Sequence, residues 1–154
     1  NQFKKKLNYL YLNDSCIKSN LSILPAVEDI DNLFSNIRVL LLFSIWHESG
    51  SRLILEAHAR GIPVIAFQTG GNQELMKNYS EDIFTKPKLY FDKNNQLRIS
   101  NWDLSPIAER IKYLNENDDF YNFYSNKIKN ENTFEEINKN FQISLKKMIL
   151  KMTK

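Results

Sequence analysis

Cysteine is almost missing from this chain: Cys16 stands alone among 154 residues, so no disulfide can close within it and no cysteine cluster can hold zinc. That usage fits a reducing compartment. Glycine and proline are also scarce, at four each, and no low-complexity linker or internal repeat interrupts the sequence. No apolar run approaches the roughly 20 residues that a membrane span needs. Charge of one sign is lacking too: 21 Lys and Arg face 18 Asp and Glu for a net of +3. The interspersed signs leave no electrostatic footprint for nucleic acid. His47 and His58 belong to no His-Glu-x-x-His motif, so no metal is expected. The chain opens on Asn1 with no leader pattern after it, which gives the expectation of an excised domain or a processed fragment.

What is present is a globular composition, 42% hydrophobic and 12% aromatic, in one ordinary domain's worth of chain. The opening stretch, residues 1–14, carries a helical stripe of Phe3, Leu7, Leu10 and Tyr11 and an alternating strand pattern of Leu7, Tyr9 and Tyr11. Helix is the favoured reading, ending near Asn13-Asp14-Ser15. Leu21 to Leu24, closed by Pro25, reads as a short strand, and Glu28 to Ile37 as a helix with Asp29 and Asp31 in its first turn. Val39 to Phe43 is apolar without alternation, the pattern of a parallel strand covered on both faces. A helix over Leu53 to Arg60, stopped by Gly61 and Pro63, leads to a second buried strand, Val64 to Phe67. This is a β-α-β unit.

Beyond it, Gly70-Gly71-Asn72 make a turn into a helix beginning at Gln73, with Glu74 as a first-turn acid. Lys88–Asp92 and Leu97–Ser100 flank a polar four-residue turn and read as a hairpin. Helices are expected from Ser105, with Ile107, Ile111 and Leu114 on one stripe, then over Phe120 to Ile128, and last over Phe134 to Met152. The aromatics after position 120 are expected to pack rather than to stack on bases. Lys146, Lys147, Lys151 and Lys154 beside the last apolar stripe suggest peripheral contact with an anionic membrane surface.

The densest chemistry lies between Trp46 and Met76. Glu48 falls just past the carboxyl end of a parallel strand, where open α/β sheets bind ligands, and Glu56 sits in the helix that follows. Ser49-Gly50-Ser51 opens that helix, whose first amides present donors and positive dipole to an anion such as a diphosphate. About five residues of helix separate Glu56 from Ser51 by roughly 7–8 Å along the axis. Carboxylates so placed suit the hydroxyls on either side of a diphosphate, the layout of a nucleotide-sugar. Pairing with Arg52, four residues back, is the structural rival for Glu56.

Glu48-Ser49-Gly50-Ser51-Arg52-Leu53-Ile54-Leu55-Glu56-Ala57, then Gly61-Ile62-Pro63-Val64-Ile65-Ala66 and Gly70-Gly71, resemble the Glu-x7-Glu donor region of family 4 retaining glycosyltransferases of the GT-B fold. The resemblance implies an α/β fold, a Rossmann-like parallel sheet flanked by helices with a helical C-terminal segment, forming one half of a GT-B enzyme. Residues 1–154 would be a partial or complete C-terminal nucleotide-sugar-binding domain, without the N-terminal acceptor domain. It further implies that Glu48 is the catalytic-site residue, contacting the transferred sugar, and that Glu56 holds the ribose. Ser49, Gly50, Ser51, Arg52, Gly70 and Gly71 would complete the donor-binding set. The donor would be a UDP-, GDP- or ADP-sugar used without cofactor or required metal, and the acceptor a glycan or lipid-linked saccharide. A cytoplasmic location, at the inner face of a membrane, is the expectation from the cysteine usage and the lysines of the last helix, and without the acceptor-binding half the isolated fragment is expected to be inactive. Gly50-Ser51 stands where the family commonly has Phe-Gly, so the glycine is displaced by one position. Two competing readings keep the ancestry: a degenerate module that docks a partner protein, and a nucleotide-sugar epimerase.

Overall fold

The computed structural model describes residues 15–47, 49–100 and 102–131, with Lys139 and Ile143 besides. Residues 1–14, Glu48 and, apart from those two residues, the stretch expected as the last helix lie outside the described residues. The chain divides into two units, residues 1–35 and 36–154.

In the first unit the turn expected at Ser15 gives way to a short helix, α1 (Ser15–Asn20). The Asn20 side-chain amide closes its last turn by donating to the Cys16 carbonyl at 2.9 Å. The strand expected over Leu21 to Leu24 does not form; the segment has no regular structure, and Ile23 and Leu24 are 54% and 62% exposed. A strand needs a neighbour for its backbone groups, and no strand is paired with this segment among the described residues. Helix α2 (Ile30–Ser35) is shorter than expected at both ends. Its start is set by Asp29, whose Oδ1 accepts the Asp31 and Asn32 amides at 3.0 and 3.1 Å.

The second unit is built on a parallel sheet of β1 (Leu40–Leu42), β2 (Val64–Phe67) and β3 (Ile83–Phe84) in the order β1-β2-β3. Leu40 pairs with Val64, and Ala66 with Ile83. Helix α3 (Arg52–Ala59) makes the crossover from β1 to β2, ending at Arg60 and at Gly61 with φ 74°. All four residues of β2 are buried. By contrast, β1 is not the doubly covered strand that its apolar run predicts: it is an edge strand among the described residues, and Leu41 is 44% exposed. The third strand hides in the sequence because it is only two residues long and follows the polar run Ser80–Asp82, a turn of 3₁₀ helix.

After β2 come α4 (Asn72–Leu75) and then, beyond β3, the expected hairpin of β4 (Leu89–Phe91) and β5 (Leu97–Ile99). Its turn passes through Asn95 at φ 55°, and the Asp92 carboxylate accepts the Asn94 and Gln96 amides. Helices α5 (Ser105–Glu116) and α6 (Asp118–Glu131) follow, and α6 packs on both α3 and α5. Ile65, Phe67, Tyr79, Ile107, Leu114, Tyr124 and Ile128 form the core, with Ile111 and Phe120 against it. The aromatics of α6 thus pack, as their spacing predicts.

Two polar groups enter this core. Asp82, 1% exposed, accepts hydrogen bonds from Arg110 Nε at 2.5 Å and from the Tyr124 hydroxyl at 2.6 Å. Burial lifts its carboxyl above the ordinary range, while those two donors pull it the other way. His58 lies on the buried face of α3, edge-on to Tyr79 with ring centroids 4.9 Å apart. Neither of its ring nitrogens has a hydrogen-bond partner among the described residues.

Burial without a partner disfavours the imidazolium and lowers the His58 pKa from 6.5 to about 4. A depressed histidine pKa means that the neutral form is the one the fold holds. Stability is therefore fully present above pH 6.5 and is lost as pH falls towards 4. Between pH 7.5 and 4.5 this one group should remove about 2–3 kcal/mol. Urea midpoints measured across that range should fall for the wild type and change less for His58→Phe; parallel curves for the two proteins would show that His58 does not titrate on unfolding.

Candidate functional site

The site grows out of two turns that leave the carboxyl ends of neighbouring parallel strands. The first, after β1, runs through Ser49-Gly50-Ser51 into α3; the second, after β2, runs through Thr69-Gly70-Gly71 into α4. Parallel pairing of β1 with β2 brings both turns to the same end of the sheet.

Their backbones touch. A Cβ built on Gly71 would lie 2.1 Å from the Ser49 carbonyl oxygen, so only glycine fits there. Gly50 takes φ 131°, a conformation open to glycine, and faces the Leu75 side chain. Ser51 is 8% exposed and opens α3, its carbonyl accepting the Ile54 amide at 3.1 Å. The Ser51 amide itself is not open to solvent ligands, because it donates to Asn72 Oδ1 at 3.0 Å. Asn72 is fully buried, and its Nδ2 donates to Thr69 Oγ1 at 3.2 Å.

Glu56 lies one turn into α3. Its carboxylate accepts from Arg52 Nε at 3.1 Å and Nη2 at 2.9 Å, the i,i+4 pair that the spacing allows. The Glu56 side chain is 21% exposed and that of Arg52 89%. An ion pair at such an exposed arginine is worth little, ~0.5 kcal/mol, so a ligand hydroxyl can replace the guanidinium at small cost. On the outer side, the Arg60 guanidinium donates to the Glu56 carbonyl at 2.8 Å.

Of the residues singled out in the sequence, Ser49, Gly50, Ser51 and Gly71 thus meet in one cluster, Gly70 is the exposed residue before Gly71, and Arg52 and Glu56 pair on the helix that rises from the cluster. Glu48 lies between His47 and Ser49, outside the described residues. A concavity of about 300 Å³, lined by Gln68, Gln73, Lys77, Ser80 and Ile83, follows β2 without involving any of them. Sequence reasoning missed Asn72 and Thr69 as members of the cluster. The available signal was an asparagine directly after the double glycine; its partner, Ser51, is 21 residues away and invisible to any local pattern.

Gly71→Ala should force the Ser49–Ser51 turn off the second turn, since the obstructing atom is backbone and has no rotamer to change. The expected cost is about 1–3 kcal/mol, read as a lowered urea midpoint together with displaced amide resonances of Ser49 and Ser51. An alanine variant with wild-type midpoint and wild-type resonances would refute the close approach.

Residues 4–131 match the model of the family described as "Glycosyl transferases group 1". Among curated proteins, spore coat protein SA of Bacillus subtilis (strain 168) is 28% identical over 107 residues, which is 66% of this chain and 28% of that protein. An Escherichia coli protein named UDP-Gal:alpha-D-GlcNAc-diphosphoundecaprenol alpha-1,3-galactosyltransferase is 38% identical over 72 residues, 47% of this chain and 18% of that protein. The chain thus spans under a third of the length of either relative in these matches. No solved structure matches it significantly. With its parallel sheet, its flanking helices and a family match covering most of its length, the chain belongs to the group 1 glycosyl transferases, the retaining GT-B enzymes of family 4.

Proposed function

We propose that residues 1–154 are the donor-binding, C-terminal half of a retaining glycosyltransferase, and that the donor is a nucleotide-sugar docked over the Ser49–Ser51 turn. The observation that carries this reading is the pairing of two glycine turns at the carboxyl end of a parallel sheet, with Glu56 one helical turn beyond. Glu48 then takes the hydroxyls of the transferred sugar, as the catalytic-site residue, and Glu56 takes the ribose in exchange for Arg52. The freed guanidinium, highly exposed, is at hand to offset diphosphate charge, with the amides around Gly50, Arg52, Gly70 and Gly71 as further donors. No metal is required for such neutralisation. UDP is the first nucleotide to test, because the Escherichia coli relative is named for UDP-Gal.

Transfer also needs an acceptor half, so residues 1–154 by themselves should bind donor weakly at best and transfer nothing. The acceptor is a glycan or lipid-linked saccharide, reached from the cytoplasmic face of a membrane; among the described residues no helix is long and apolar enough to cross one. One observation favours a second reading, a module that docks a partner and has lost donor binding: both the Ser51 amide and the Glu56 carboxylate already have partners within the chain.

Titration of the chain with UDP-, GDP- and ADP-sugars by NMR separates the two. Donor binding should shift the resonances of Gly50, Ser51 and Glu56, and Glu56→Ala should weaken the preferred nucleotide about 10-fold, or ~1.4 kcal/mol. Unmoved resonances with all three donors would sink the donor reading and leave the docking module.

A further inference from the structure

Asn72 has no place in the family motif as the sequence presents it, yet it is the one fully buried side-chain amide in the cluster of turns. A buried carboxamide must satisfy both ends or cost stability. Here Oδ1 accepts from the Ser51 amide at 3.0 Å and Nδ2 donates to Thr69 Oγ1 at 3.2 Å. The Thr69 hydroxyl in turn donates to the Phe67 carbonyl at 3.4 Å. A continuous path of hydrogen bonds therefore runs from the last residue of β2, through Thr69 and Asn72, to the residue that opens α3.

The side chain does not cap its own helix: the residue before α4, Gly71, supplies no capping side chain, and Asn72 reaches 21 residues back instead. Three contacts from this segment then fix the first turn. Gly71 lies against the Ser49 carbonyl, Leu75 against Gly50, and Asn72 holds Ser51. Of these three only the Asn72 contact is a directional bond, so it is the one that orients the Gly50–Ser51 peptide plane, while the Ser51 carbonyl is held within α3 by the Ile54 amide. Being neutral, the carboxamide does this without placing a negative charge beside an anion-binding turn.

From this geometry we infer that Asn72 is a positioning residue for the donor site, orienting the Ser49–Ser51 turn towards a diphosphate without touching it. The inference rests on the donor-binding reading above. It distinguishes orientation of the turn from general support of the fold, because only the diphosphate part of a ligand meets that turn, whereas a nucleoside relies on Glu56.

Binding of UDP and of uridine to the full chain, followed by NMR, tests it. Asn72→Ala should weaken UDP about 10-fold and uridine less than about 2-fold, and should remove the hydrogen-exchange protection of the Ser51 amide. Thr69→Val, which leaves the Ser51 bond in place, should weaken UDP about 3-fold and leave uridine unchanged. It carries the decision if the Asn72 variant does not fold. Equal losses for UDP and uridine, undiminished UDP affinity in the variants, or a fast-exchanging Ser51 amide in the wild type would each overturn the assignment. A wild-type chain that binds neither UDP, GDP nor ADP overturns the donor reading itself, and the positioning role with it.

Discussion

The structure depends on the complete burial of β2. A strand with no solvent-facing residue needs cover on both faces and pairing on both edges. Val64 to Phe67 obtain the pairing from β1 and β3. The cover comes from α3 and the core of α5 and α6, where Ile65 and Phe67 join Ile107, Leu114, Tyr124 and Ile128. Gly61 shows how close that cover lies: a Cβ there would stand 2.7 Å from Ser125 Oγ on α6. Because β2 is fixed on all sides, the turn that leaves its carboxyl end starts from a rigid point.

That rigidity passes to the site by short links. Thr69 bonds back to the end of β2, Asn72 bonds to Thr69 and to Ser51, and Ser51 starts the helix that carries Glu56. Below α3, His58 and Tyr79 pack edge to face, so the helix is held from the core side as well. Glu56 stays partly exposed, with Arg52 alone on its carboxylate among the described residues, an exchangeable partner. The result is a frame of turns tied to the sheet, with one exposed ion pair at its edge.

Much of this was legible in the residues. The apolar run of β2, the Gly61-x-Pro63 stop and the stripe of α5 each follow from short-range rules, and the structure has all three. The hairpin was readable for the same reason, since Asn95 and Asp92 supply their own turn chemistry. What failed depended on neighbours. Leu21 to Leu24 have strand-forming residues but no described strand beside them, and the apolar run of β1 gives no sign that it lies at an edge among the described residues. β3 is two residues long, too short for any period to show.

By itself the sequence determined the α/β class, the β-α-β unit and the pair of glutamates with the helical spacing that lets Arg52 meet Glu56, because these are set within a few residues by backbone preference and periodicity. Only the tertiary structure decided that Gly71 is required by the Ser49 carbonyl, that the Ser51 amide belongs to Asn72, and that Asp82, Arg110 and Tyr124 form a buried polar group. Those contacts join residues separated by about twenty positions or more. Their existence depends on which strands pair and which helices cover them, and no local pattern records that.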